Sequence, residues 1–315
     1  MKLARIVEAI APRPESPARR TVLFPWATES GVSVSLDVLV LPAFEDLPGL
    51  PGELTPWTRE YDLSRTVEVD GVPEPVRYTK SGLGVVPTGI GKTAAATTVT
   101  ALLGSDRLEL AETLFCTVGV AGAPPELPVG SVVLAETIVD WDDKCRFDPE
   151  DSEDGPLAGN PYTGEAGVYD LDPGLVDRAR GRTGNISLRR PDSAADSARP
   201  TVTTGTNLCG DELWHGRELA AQAAWLAKRR DRDPYRVTEM EDAGTARALS
   251  RFDCLDQYLS VRGVSNHDRP TDDRSARESF FDETFEDGFA VGIANAVAVA
   301  RAIVDRPEPG PDRRE

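Results

Sequence analysis

The sequence predicts an α/β fold, a single domain in which a mixed β-sheet is flanked by helices. Three observations carry this reading. Val34–Leu41 is a near-continuous apolar run, as a strand buried on both faces of a sheet must be. Val85–Lys92 is a glycine-containing strand-to-helix turn that opens into an alanine- and threonine-rich helix. Apolar strand-like runs then alternate with helical segments to the end of the domain, the pattern of a sheet covered by helices.

Residues 1–31, interrupted by Pro12, Pro14 and Pro17, are expected to form a weakly structured extension, the domain to occupy 32–305, and 306–315 to be a disordered tail. Val34–Leu41 is the first strand, and Pro42-Ala43-Phe44-Glu45 is the loop at its carboxyl end. Tyr61–Val69 and Val76–Pro87 read as strands, Lys92–Leu103 as a helix, Leu114–Val120 as a central strand and Gly130–Trp141 as another. Asp, Glu, Gly and Pro fill Phe147–Asn160, a composition that buries little and predicts a mobile loop. An Asp-Pro start predicts a helix over Asp172–Gly181. Arg190–Pro200 is a polar loop, Val202–Thr204 a short strand, and Asp211–Lys228 a helix. A helix that begins around Met240 continues through Thr245–Phe252, and Tyr258–Val264 is the last strand. Glu283–Val304 reads as an amphipathic helix with Phe285, Phe289, Ile293 and Val297 on one face.

The 315 residues carry a formal charge of −18, which argues against nucleic acid as a partner, because a phosphate backbone needs basic surface. Lysine is confined to Lys2, Lys80, Lys92, Lys144 and Lys228; an acid-rich, lysine-poor surface suits a salt-adapted protein. Cys116, Cys145, Cys209 and Cys254 form no C-x-x-C, and His215 and His267 are the two histidines, so no metal site is expected. A reduced, cytoplasmic protein is the expectation. No membrane span is expected: Val32–Phe44 is too short and holds Asp37, and Phe289–Val304 is interrupted by Asn295 and Arg301. Asn185-Ile186-Ser187 fits the glycosylation pattern by chance in a cytoplasmic loop.

Chemistry concentrates at the junctions where apolar strands end. Gly89-Ile90-Gly91-Lys92-Thr93 is not a phosphate-binding P-loop, since Val86 stands where that pattern needs glycine. Its helix-start amides suit an anion or a sugar hydroxyl. Glu239-Met240-Glu241 offers carboxylates for hydroxyl groups and a thioether to pack on a sugar ring. It also reads as an acidic first helical turn that complements the helix dipole.

Glu239-Met240-Glu241-Asp242-Ala243-Gly244 and Val261-Arg262-Gly263-Val264-Ser265-Asn266-His267, in this order, resemble the purine nucleoside phosphorylase and nucleosidase superfamily. Val85–Ala96 is similar to the G-I-G-K-x-A-A-A stretch of the bacterial nucleosidases, and Phe115–Gly122 to their core strand and Gly-rich turn. The resemblance runs from about Val34 to about Asp305. Asp211–Gly216 and Ser265-Asn266 look most like the purine nucleoside permease branch, whose members carry a transport name yet share the soluble phosphorylase fold. The resemblance implies a nucleoside phosphorylase-like fold, a purine nucleoside as ligand and a homo-oligomer. It also implies cleavage of the N-glycosidic bond without metal or redox cofactor; binding for uptake without turnover is the alternative.

The same resemblance assigns roles. It puts Thr88 near the ribose or phosphate, with Gly89 letting the backbone approach. Met240 and Glu241 contact the ribose, with Glu239 beside them. Glu45 becomes the general base that orients water, its other reading being an exposed loop acid. Asn266 stands where many members have an aspartate that serves the purine N7; an amide donates or accepts there but is no acid. Asp268 either compensates nearby or begins a surface turn. Trp214 either stacks on the base or is a core tryptophan on the helix, and Asp211 either bonds the base edge or caps that helix. Arg262 is read as an anion ligand or an ion-pair partner. Thr117 and Val118 stand where phosphorylases place a phosphate-binding arginine, so hydrolysis is favoured, with phosphate as the alternative co-substrate.

Overall fold

The computed structural model describes residues 33–305 apart from Asp46, 149–155, Glu165, Asn185, 195–197 and Glu283. The expected extension 1–31, the tail 306–315, Asn185 and the middle of the Phe147–Asn160 loop therefore lie outside the described residues. Among the described residues fourteen strands are present: β1 Val34–Ser35, β2 Val38–Leu41, β3 Arg65–Val67, β4 Val76–Tyr78, β5 Leu83–Val85, β6 Leu108–Glu109 and β7 Leu114–Ala123; then β8 Val132–Asp140, β9 Lys144–Arg146, β10 Leu157–Gly159, β11 Val168–Asp170, β12 Val202–Cys209, β13 Tyr235–Glu239 and β14 Tyr258–His267. The helices are α1 Thr55–Glu60, α2 Lys92–Leu103, α3 Pro173–Arg182, α4 Arg217–Arg229, α5 Asp242–Arg251, α6 Ala276–Phe280 and α7 Phe285–Val304.

The main sheet runs β11-β8-β12-β13-β7-β2-β5-β4-β3. β14 lies parallel to β7 from Tyr258 to His267 and crosses β8 antiparallel at Val261–Gly263. Because β8, β12, β13, β7 and β14 are thereby joined in a ring, half of the sheet closes on itself as a small barrel. The expected mixed-sheet α/β architecture is the observed one.

Local departures have local causes. The first predicted strand is split at Leu36-Asp37, where Leu36 O accepts from Thr113 Oγ1 (2.6 Å) and Asp37 N donates to Gly82 O (2.9 Å). Tyr61–Val69 holds only the short β3. The turn before it is helix α1, which the fully buried Trp57 anchors to the core. Helix α4 starts at Arg217 rather than at Asp211, leaving Asp211–Gly216 as irregular chain. Helix α3 begins as expected, with Asp172 accepting from Leu175 N at 2.6 Å.

Helix α7 packs along β14 and β7 and buries Phe289, Ile293 and Val297. Each such side chain stabilises the fold by about 1.5–3 kcal/mol. By length and composition α7 is apolar enough to cross a membrane, but most of that apolar stretch is buried inside the domain, as in a core helix.

Candidate active site

A cavity of about 380 Å³ opens where β2, β7, β13 and β14 end. These strands bring distant residues together. The chain after β2 supplies Ala43, Phe44 and Glu53, β7 supplies Val120 to Gly122, the β13–α5 junction supplies Glu239, Met240 and Glu241, and the end of β14 supplies Ser265 and Asn266 with Asp268 just beyond. One wall is aromatic: the Phe285 ring lies 5.6 Å from Phe280 and 5.6 Å from Phe289, and Phe289 lies 6.3 Å from Phe44.

Of the residues singled out in the sequence, Glu239, Met240, Glu241, Trp214, Asn266 and Asp268 line this cavity. Thr88, Gly89 and Glu45 do not. Thr88 is buried and its hydroxyl donates to Gly89 O at 3.1 Å, so it ties the turn to itself. Gly89 has φ +86°, which glycine adopts without strain, and its N–H donates to Ala43 O at 3.0 Å. Ile90 from the same turn reaches the cavity instead. Glu45 is a half-exposed loop acid whose Oε1 lies 3.4 Å from Arg77 Nη2.

The amides at the start of α2 meet the protein's own carboxylates. Gly91 N donates to Glu241 Oε1 (3.0 Å) and Lys92 N to Asp211 Oδ1 (2.7 Å). The helix N-terminus that suited an external anion is thus occupied. Asp211 is a capping residue, as one reading had it, but of α2 rather than of its own segment. Trp214 sits in irregular chain, not in a helix, with its ring 6.0 Å from Trp141.

Glu53, which sequence reasoning missed, is 2 % exposed and sits at the cavity floor. Its Oε2 accepts from Ala43 N (2.7 Å) and its Oε1 from Val120 N (2.9 Å). Burial pushes its carboxyl above the ordinary range, against the pull of Arg262 and the two amides. Only its context marks it in the sequence, as the lone acid between Leu50 and the Leu54-Trp57 core contacts. No spacing rule links it to Ala43 or Val120.

Below the floor lies Arg262, 2 % exposed. It is the ion-pair partner: Nη2 is 2.7 Å from Glu239 Oε2, Nη1 is 3.3 Å from Glu241 Oε2, and Nη2 also bonds Asp242 Oδ1. One guanidinium thus serves several carboxylates in a medium that disfavours charge. Burial raises Glu239 to about 8 and Glu241 to about 7, with Arg262 pulling both down. Asp242 is held low: burial raises it, but Arg262, Ser260 and Thr117 outweigh that. Among the described residues no cluster of three or more His, Cys, Asp or Glu is disposed to hold a metal ion.

Gly119 separates Glu53 from Arg262. A Cβ there would overlap Glu53 Oε1 and lie 2.8 Å from Arg262 Nη1. Gly119→Ala is therefore expected to destabilise the fold by about 1–3 kcal/mol, read as a lower Tm, because the overpacked charged groups cannot both retreat.

Across the cavity, Asn266 accepts from Ser265 Oγ through Oδ1 (2.7 Å) and donates to His267 O through Nδ2 (2.8 Å). One amide hydrogen is left over. Asp268 is 1 % exposed, so it is not a surface turn residue. Its Oδ2 accepts from Tyr235 at 2.5 Å, and its Oδ1 lies 3.3 Å from Arg269 Nε without hydrogen-bond alignment. Burial raises its carboxyl above the ordinary range, against Tyr235 and Arg269.

Comparison with known proteins decides the family. The model of the purine nucleoside permease (NUP) family matches residues 35–306. The chain belongs to the purine nucleoside permease family. A purine nucleoside permease of Candida albicans is 24 % identical over 292 residues, covering 80 % of this chain and 71 % of that one. A 5′-methylthioadenosine/S-adenosylhomocysteine nucleosidase of Mycobacterium bovis is 28 % identical over 195 residues, covering 59 % of this chain and 67 % of that one. Among solved structures, the corresponding nucleosidase of Neisseria meningitidis, in complex with methylthio-immucillin-A, superposes with a TM-score of 0.58 at 17 % identity, covering 86 % of this chain and 99 % of that one. Futalosine hydrolase of Helicobacter pylori gives 0.60 at 17 %, covering 87 % and 98 %. This purine nucleoside permease family member thus has a nucleoside phosphorylase-like fold.

Proposed function

We propose that this chain cleaves the N-glycosidic bond of purine nucleosides, with water rather than phosphate as the attacking group. The observation that carries the reading is the floor of the cavity, where Glu53, Glu239 and Glu241 converge on Arg262 opposite Asn266 and Asp268. The carboxylate of Glu241 accepts from ribose hydroxyls and Met240 packs on the sugar. The aromatic wall with Trp214 covers the apolar faces of the substrate.

As the C1′–N9 bond lengthens, its electron pair passes to the purine and the ribosyl group becomes oxocarbenium-like. The free amide hydrogen of Asn266 meets N7, and Asp268 is the adjacent carboxyl able to supply a proton. Glu53 takes the general-base role first given to Glu45: it removes a proton from water as the water oxygen bonds C1′. Water is favoured over phosphate because Arg262 is engaged by carboxylates and the α2 amides by Glu241 and Asp211.

The test is chromatographic detection of free base from inosine, guanosine and adenosine, with and without phosphate, at low and high salt. Base released without phosphate is the expected result. Release that requires phosphate overturns hydrolysis; nucleoside bound without release overturns turnover and favours a role in uptake. Glu45→Gln is expected to change kcat/KM by less than about 3-fold, since an exposed pair such as Glu45–Arg77 is worth little.

A further inference from the structure

The charge arrangement under the cavity has a feature that the proposed chemistry does not use. Asp242, fully buried and outside the cavity lining, accepts four hydrogen bonds, two of them from Arg262. Oδ2 accepts from Ser260 Oγ (2.5 Å), Asn207 Nδ2 (2.7 Å) and Arg262 Nε (3.2 Å), and Oδ1 accepts from Arg262 Nη2. The fork of Arg262 is therefore gripped along one edge. Its other nitrogen, Nη1, points to Glu241 Oε2 and flanks the space over Gly119 that Glu53 Oε1 also borders.

We propose that Asp242 is a positioning residue: by gripping Nε and Nη2 of Arg262 it holds the cation below the cavity floor, so that Glu53 meets the substrate without a direct ion pair and Glu241 keeps a single 3.3 Å contact to Nη1. This rests on the hydrolytic reading for its purpose but not for its test. The groups that face the cluster are Glu53 from the chain after β2, Cys116 and Thr117 from β7, Cys209 and Asn207 from β12, Glu239 from β13, Glu241 at the start of α5, and Tyr258 and Ser260 from β14. Of these, the glutamates compete with Asp242 for the guanidinium, and Asn207 and Ser260 hold Asp242 in place.

The two variants Asp242→Asn and Arg262→Lys pull in opposite directions. Without the aspartate, the guanidinium turns to Glu53 and Glu241, and Glu53 becomes more acidic by about one to three pH units. With lysine, a single ammonium stays with Asp242 and cannot also reach the cavity, so Glu53 becomes less acidic by about one unit. Carbon-13 NMR titration of labelled glutamate carboxyls in the full-length protein, with Glu53 assigned by Glu53→Gln, reads both shifts without turnover. Opposite shifts support the assignment even if no base is released, in which case only the hydrolytic reading falls. A Glu53 titration unmoved in Asp242→Asn overturns it. Should that variant not fold, an unmoved titration in Arg262→Lys overturns it equally, since a merely retained charge moves nothing. Where base is released, the acid limb of the pH–rate profile follows Glu53 in each variant.

Discussion

Glu53→Gln is expected to lower base release by a factor of about 10²–10⁴, the usual loss when a general base is removed. Glu53 is the acid at the cavity floor whose two oxygens are both fixed by backbone amides, at Ala43 and Val120. Such fixing aims the carboxylate, and burial makes it more basic than a free glutamate. The sign of the pH dependence follows. Only the deprotonated form accepts a proton from water, so activity falls as pH drops through the raised Glu53 value. The acid limb should vanish with the carboxyl. An amide at this position turns a donor toward one backbone N–H, which costs about 1–3 kcal/mol. The measurement is therefore kcat at a temperature well below the variant's own Tm, with folding checked by circular dichroism. Turnover within about 3-fold of the parent, in folded protein, refutes the base assignment.

Glu241→Ala should cost the most in substrate binding. Its carboxylate lies in the cavity, held by Gly91 N and Arg262, with hydrogen-bond capacity left for a sugar hydroxyl. A hydrogen bond to a charged group contributes about 1.5–3 kcal/mol, so nucleoside affinity should weaken by roughly 10- to 100-fold. Burial puts its ionisation at about 7, so the acceptor form gains population as pH rises through neutrality, and binding in the parent should tighten in the same direction. Calorimetric titration with a non-cleavable nucleoside analogue at pH 6 and pH 8 checks both statements. Unchanged affinity and turnover in a folded Glu241→Ala protein sink the ribose assignment.

The segments that carry the site were legible where chemistry sits inside one short run. Glu239-Met240-Glu241 and Ser265-Asn266 are such runs, and the structure puts both on one cavity. The alternatives left open at Asp211 and Arg262 were resolved by contacts across 119 and 20 or more residues of chain, while Trp214 packs on Trp141 across 73 residues and also lines the cavity. Glu45 and Glu53 show the limit of local reading. Both follow the first strand, but α1, anchored by Trp57, turns Glu53 inward, while Arg77 holds Glu45 at the surface. The aromatic wall had its periodicity in the sequence at Phe285 and Phe289, where it reads as a core face; only the approach of α7 to Phe44 makes part of that face a cavity wall.

The sequence by itself determined the α/β class, the helix over Lys92–Leu103, the central strands and the family, because apolar periodicity and contiguous motifs are properties of neighbouring residues. Only the tertiary structure decided which acid reaches the cavity floor and which carboxylates share Arg262. Those outcomes depend on burial and on distances between residues far apart in the chain, and in a low-dielectric interior such distances set which charges persist.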